Sequence, residues 1–161
     1  MKPLHLLLAV TLPLYVFDQL TKWATLVFIP LHHEIPIVPG LFNLVHVTNT
    51  GSAFGLMKGW FSFHVVFGAI MAGVIGWMLF RHDTDRLTRF ACAMILSGIF
   101  GNITDRLIHG HVVDFLDFYI GQNHWPAFNV ADSAIVVSVA IFLWTSFRRP
   151  TAEASASAEK P

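Results

Sequence analysis

Residues 101–117 read GNITDRLIHGHVVDFLD and follow an apolar run, FACAMILSGIF, over 90–100. The run has the composition of the inner part of a membrane span. Asn102, Asp105, Arg106 and His109 continue it at i, i+3, i+4 and i+7, which on a helix lines all four on one face. Polar groups at the end of a membrane helix are costly unless they meet partners or water. In a soluble chain the stripe would read as a helix end with Asp105 paired to a basic group. In a membrane, where such groups are rare, it reads as a functional face. Gly110 then allows a break, and Val112-Val113-Asp114-Phe115 reads as a short apolar segment carrying one carboxylate.

The whole chain fits a membrane setting. Of its 161 residues 55% are hydrophobic and 12% charged, and its mean hydropathy is +0.61. Ordinary soluble domains carry about 25% charged residues. The length suggests one domain, taken as residues 1–149 with a disordered cytoplasmic tail at 150–161, where TAEASASAEK is small and polar. Formal net charge is zero, so no nucleic-acid partner is expected. Cys92 is alone and sits in an apolar run, which leaves no intrachain disulfide and no cysteine-based metal site. Nine histidines are scattered without an HExxH pattern, and there is no glycine-rich phosphate loop. No metal or other cofactor is expected.

Four spans are predicted, at about 4–28, 60–80, 90–107 and 130–147. The first begins like a signal peptide, but its apolar stretch runs past a typical h-region and holds Asp18 and Lys22. These two lie at i, i+4 and can pair on one face; a snorkelling lysine with Asp18 as counter-ion is the alternative. In the second span Gly68, Ala72 and Gly76 recur every fourth residue, which permits close helix approach. This reads as internal packing, and a monomer is expected. Prolines and glycines break residues 30–59. There, 41–47 alternates partly as a strand would, 49–52 is a turn signal, and 53–60 suits a short interfacial helix. The expected fold class is therefore an all-α integral membrane protein: four transmembrane helices, a small extracytoplasmic β-strand region and an interfacial helix.

Basic residues set the orientation. Lys2, Arg81, Arg86, Arg89, Arg148 and Arg149 all fall on one side of the four-span arrangement, whereas the opposite loops, 29–59 and 108–129, hold only Lys58. The positive-inside rule puts both termini in the cytoplasm. Sixteen residues separate Lys2 from Asp18, Arg89 from Asp105, and Asp132 from Arg148. At 1.5 Å per residue each is about 24 Å of helix, most of the way across a roughly 30 Å core. Three helices thus bring a carboxylate to one depth, just inside the outer surface, and Asp114 returns to that level.

There is no GxSxG motif and no reactive-cysteine context. The available groups are carboxylates, with Asn49, Asn102 and Asn129 as neutral donors. Of two close carboxylates, one keeps a proton while the other serves as base toward water. That suits peptide hydrolysis without a covalent intermediate. The alternative is a small proton- or cation-coupled transporter using the same carboxylates. Polar groups gathered at one end of the spans fit a one-sided site better than a through-path.

FDQLTK (17–22), TNTGSAFG (48–55), GNITDRLIHGHVVDF (101–115) and FNVADS (128–133) resemble, in order and spacing, the lipoprotein signal peptidases, or signal peptidase II. The resemblance covers the chain from the first span to the fourth. It implies an aspartyl endopeptidase of the bacterial inner membrane that cuts the signal peptide from a prolipoprotein before a diacylglyceryl-modified cysteine. Its partners would be that substrate and membrane lipid. It also implies that Asp114 and Asp132 are the catalytic dyad, that Asn102, Arg106, Asn129 and Ala131 line or brace the site, and that Asp18, Lys22 and Asn49 support it or touch substrate. Asp105 would be a supporting carboxylate paired with a basic group. The residues alone do not rank Asp114 and Asp132 above Asp18 and Asp105; that choice comes from the resemblance. Asp132 begins the fourth span, where a helix N-terminus favours its charged form, so Asp114 is the expected protonated partner.

Overall fold

The computed structural model describes residues 2–51 and 59–148. Most of the interfacial helix expected over 53–60, and all of the tail at 150–161, lie outside the described residues. Among the described residues four helices are long and apolar enough to cross a membrane: α1 (Pro3–Phe28), α2 (Phe61–Phe80), α3 (Arg86–His109) and α4 (Val130–Arg148). Between them lie four strands, β1 (Glu34–Val38), β2 (Phe42–Asn49), β3 (Val112–Ile120) and β4 (Asn123–His124), in the antiparallel order β1-β2-β3-β4. The all-α expectation thus gives way to a mixed architecture, a helical membrane-type bundle carrying a four-stranded sheet.

α3 is the hub. Over its most apolar window 56% of residues are buried, against 17%, 11% and 17% for α1, α2 and α4. The other three helices leave large apolar side chains such as Leu20, Phe67 and Leu143 uncovered, as lipid-facing helices do. α3 begins at Arg86, earlier than its apolar run, because Asp85 caps it. Asp85 Oδ1 accepts from the N–H groups of Leu87 and Thr88, each at 3.0 Å. It ends where Gly110, at φ 79°, takes the left-handed conformation and donates its N–H to the Arg106 carbonyl.

α1 contains one π-helical turn, Leu7–Thr11. Its buried residues are Leu6, Thr11, Asp18, Lys22 and Thr25. Leu6 and Thr11 are five apart, a spacing that an i→i+5 turn keeps on one side and a plain α-helix does not. Thr11 there donates its hydroxyl to the Ala93 carbonyl at 2.8 Å. The apolar core of Leu6, Ile75, Leu79, Cys92, Ala93, Ile95 and Leu96 fills this end of the bundle. The sheet adjoins the opposite end.

Glycines let α3 approach its neighbours. A Cβ at Gly98 would sit 2.5 Å from the Ala131 carbonyl oxygen, and one at Gly68 would sit 2.8 Å from Ile103 Cδ1. Of the small residues expected to pack in α2, Gly68 does so, Ala72 joins the core, and Gly76 faces open space. Gly98→Ala is therefore expected to destabilise the protein by about 1–3 kcal/mol, because the obstacle is backbone. Gly76→Ala is the control and should be neutral or mildly stabilising. Thermal unfolding of the two purified variants in detergent checks this; equal melting temperatures would contradict it.

The sheet extends beyond the single strand expected at 41–47. β1 carries Pro36 and is exposed along its length, an edge strand by position and chemistry. β3 begins at the anticipated segment 112–115 but continues to Ile120, pairing with β2 through Asn49↔Val112, Val47↔Asp114 and Asn43↔Asp117. A register irregularity lies between Leu44 and Val47. Val112, Val113, Asp114, Phe115 and Asp117 are all buried, so β3 lacks the period-2 pattern of a half-exposed strand.

Candidate active site

The polar site forms where the sheet-side turns of α1, α3 and α4 meet β3. α1 supplies Asp18 and Lys22, one turn apart and both buried. Lys22 Nζ lies 2.9 Å from Asp18 Oδ2 and 3.0 Å from Asp105 Oδ2 of α3, and donates to Asn102 Oδ1 at 3.1 Å. An ammonium group has three N–H donors, and all three are used. At 2% exposure Lys22 is part of the protein interior, and the snorkelling alternative does not hold.

The two acids around Lys22 also fix backbone. Asp18 Oδ1 accepts the Ala131 N–H at 2.8 Å, capping an orphan donor in the first turn of α4. Asp105 Oδ2 accepts the Val113 N–H at 3.1 Å, tying the start of β3 to α3. Gly101 permits this proximity, since a Cβ there would sit 2.5 Å from Asp18 Oδ2. Gln19 closes the group, with Nε2 donating to Asp105 Oδ1 at 3.0 Å, Asp18 Oδ2 at 3.2 Å and the Gly101 carbonyl at 3.3 Å.

Asn129 is the N-cap of α4 and joins Asp114 to Asp132. Its Oδ1 accepts the Asp132 N–H at 2.9 Å, and its Nδ2 donates to Asp114 Oδ1 at 2.8 Å. Asn49, at the end of β2, donates to Asp114 Oδ2 at 3.0 Å. Asn102 donates to Asp132 Oδ1 at 2.8 Å. The Asn129 backbone N–H also donates to the Asp132 carboxylate. Burial pushes the Asp114 carboxyl up to about 7, and the nearby Asp132 charge adds to this; the Asn49 and Asn129 amides and Lys22 pull the other way. Asp114 is buried and Asp132 half-buried, so the pair is reached from the Asp132 side. Arg106 donates to the Asn102 carbonyl at 3.1 Å and to the Gly51 carbonyl at 2.8 Å, and its charge is felt by Asp132, Asp114 and Asp105.

All ten residues singled out from the sequence are thus joined in one hydrogen-bonded network: Asp18, Lys22, Asn49, Asn102, Asp105, Arg106, Asp114, Asn129, Ala131 and Asp132. His109 does not join it; the ring is exposed and lies 6.0 Å from that of His111. Gln19 and Gly101 escaped the sequence reading. The signal for Gln19 was a polar side chain beside Asp18 inside an apolar span. No group of three His, Cys, Asp or Glu side chains suited to a metal ion occurs among the described residues. Chemically, the site offers two neighbouring carboxylates, one with a raised proton affinity, with amide donors orienting both.

A family model described as signal peptidase (SPase) II matches residues 10–148. A lipoprotein signal peptidase of Cupriavidus taiwanensis is 48% identical over 116 residues, spanning 70% of this chain and 66% of that protein. One of Desulforapulum autotrophicum is 44% identical over 133 residues, spanning 79% and 82%. One of Burkholderia thailandensis is 43% identical over 151 residues, spanning 88% and 87%. A solved structure described as a bacterial membrane enzyme superposes with TM-score 0.84 at 25% identity, over 96% of this chain and 93% of that one.

Proposed function

The chain belongs to the signal peptidase II family, an aspartic peptidase that cleaves the signal peptides of prolipoproteins, and on that premise we propose that Asp114 and Asp132 are its catalytic pair. It is a multi-pass membrane protein with four candidate spans and bacterial relatives. The observation that carries the assignment is Asn129, one residue that hydrogen-bonds to the Asp114 carboxylate and to the Asp132 backbone. Asp18 and Asp105 are instead committed to Lys22 and to backbone N–H groups, which argues for a supporting role.

In the proposed reaction the pair shares one proton. The ionised carboxylate takes a proton from water, whose oxygen attacks the scissile carbonyl carbon. The protonated partner gives its proton to the carbonyl oxygen. Collapse of the tetrahedral intermediate re-forms the carbonyl, and the departing nitrogen takes a proton from the dyad. Asp114, with its raised proton affinity, is the proposed acid. The substrate is a prolipoprotein with a diacylglyceryl-modified cysteine, cut just before that residue. Its signal helix enters sideways from the lipid, and its acyl chains stay in the bilayer and set the depth of the bond. Both termini face the cytoplasm of the bacterial inner membrane, the site opens near the outer face, and the peptidase acts as a monomer.

The test is cleavage by the purified protein in detergent of one prolipoprotein prepared with and without the diacylglyceryl group, with the product mapped by mass spectrometry. Cutting of the lipidated form immediately before the modified cysteine is the expected outcome. Equal cutting of both forms would remove the lipid from the proposal. The pH profile should be bell-shaped. With Asp114 raised to about 7, the alkaline limb is expected near pH 7. Above it both carboxylates are ionised and no proton is left for the carbonyl oxygen. Activity that stays flat from pH 6 to 9 would contradict the shared proton.

A further inference from the structure

An amide side chain can present either its oxygen or its nitrogen to a neighbour, and the network decides which. At Asn102 the decision is made by Lys22. The lysine ammonium is a donor only, it is buried, and its other two protons are held by Asp18 and Asp105. It therefore requires the oxygen of Asn102, at 3.1 Å. A second donor, Asn129 Nδ2, reaches the same oxygen at 3.3 Å. The Asn102 nitrogen is left to face Asp132 Oδ1, at 2.8 Å. A rotated amide would set N–H groups against the ammonium and against Asn129, and its oxygen against a carboxylate.

We infer that Lys22 is a positioning residue of the peptidase, holding the Asn102 amide in the one orientation that donates to Asp132. The inference rests on the assignment of Asp132 to the dyad and goes beyond it. The Asp18–Lys22–Asp105 cluster is then more than an ion pair bracing three helices. It fixes which oxygen of Asp132 receives the Asn102 N–H, and so how the carboxylate is presented to the attacking water. Loss of Lys22 removes the charged one of the two donors that hold the amide oxygen, and the catalytic step slows while substrate binding does not.

The test is steady-state cleavage of a diacylglyceryl-modified prolipoprotein by four variants in detergent. They are Asn102→Leu, the charge-balanced pair Lys22→Met with Asp105→Asn, all three changes together, and Asp132→Asn as reference. A hydrogen bond to a charged group is worth about 10–100-fold, so kcat should fall by about that factor in the first two, with KM within about twofold. The triple variant should be no slower than Asn102→Leu, because the lysine acts through that amide. Multiplicative losses would overturn the inference.

If the Lys22 variants do not fold, Asn102→Asp carries the test. It keeps an acceptor for Lys22 but removes the donor to Asp132. Relative to wild type at the same pH, its activity should be lowest at pH 8 and recover toward pH 5, as the new carboxyl takes up a proton it can donate. A wild-type profile in the folded variant would overturn the inference. Activity surviving in Asp132→Asn would remove the dyad and this role with it. An inactive Asp132→Asn beside wild-type kinetics in the others would remove the role of Lys22 alone.

Discussion

Asp114→Asn and Asp132→Asn each lower kcat/KM for prolipoprotein cleavage by at least about 10³-fold, while the protein still folds. Removing one member leaves no group to exchange the proton with water or with the carbonyl oxygen, and general acid–base catalysis alone contributes about 10²–10⁴-fold. The two variants should differ in stability. At 132 one side-chain amide donates, that of Asn102 to Oδ1, so a substituted amide keeps its oxygen there. At 114 both oxygens accept N–H groups, from Asn129 and Asn49, and any amide must set its nitrogen against one of them. That mismatch costs about 1–3 kcal/mol. It is offset as pH rises. The Asp114 carboxyl titrates near 7 in the fold against an ordinary 3.8, so wild type loses stability between pH 4 and 7 while Asp114→Asn does not. Thermal unfolding of both proteins across pH 4–8, beside the cleavage assay, reads both effects. Folded variants that still cut would move the dyad to Asp18 and Asp105.

Lys22→Met alone should cost about 3–5 kcal/mol, the toll of breaking a buried ion pair by deleting one partner. Asp18 and Asp105 would be left at 0% and 2% exposure with no counter-ion, and Asn102 would lose a donor. Lys22→Arg should not rescue it, because a planar, five-donor guanidinium needs more room than a compact ammonium. Adding Asp105→Asn should recover part of the loss by restoring the cluster's net charge. Yield of folded protein and melting temperature in detergent are the measurements. A Lys22→Met protein as stable as wild type would mean that water enters the cluster.

The parts legible in the sequence were those with local causes. Four apolar runs of span length gave four helices. Sixteen-residue spacings from flanking charges put Asp18, Asp105 and Asp132 at one level, and the network joins them there. The sheet was half hidden. β2 alternates enough to be seen, but Pro36 disguises β1, and β3 is buried on both faces with two aspartates inside it, so neither shows a strand's period. The ranking of the carboxylates was hidden for another reason. It depends on which oxygens are committed to backbone, as Asp18 is to Ala131 and Asp105 to Val113. Those commitments are contacts between distant parts of the chain. Gln19 bridges α1 to α3, 86 residues away, and Gly101 matters only because Asp18 lies against it.

The π-helical turn at Leu7–Thr11 works as a phase adjuster. One residue adds about 100° of rotation to an α-helix, and a π turn takes up one extra residue without passing that rotation on. The first turns of α1 can thus point Leu6 into the apolar core while the sheet-side turns point Asp18 and Lys22 at α3. Removing one residue there would leave a smoother and intrinsically better helix. The two ends would still face the bundle, now by regular winding. One residue removed between Thr11 and Asp18 would swing the acid and the lysine away toward lipid for as long as the π turn is kept, and is absorbed only by giving that turn up. Tolerance of single-residue deletions along this helix is therefore set by angle, not by length.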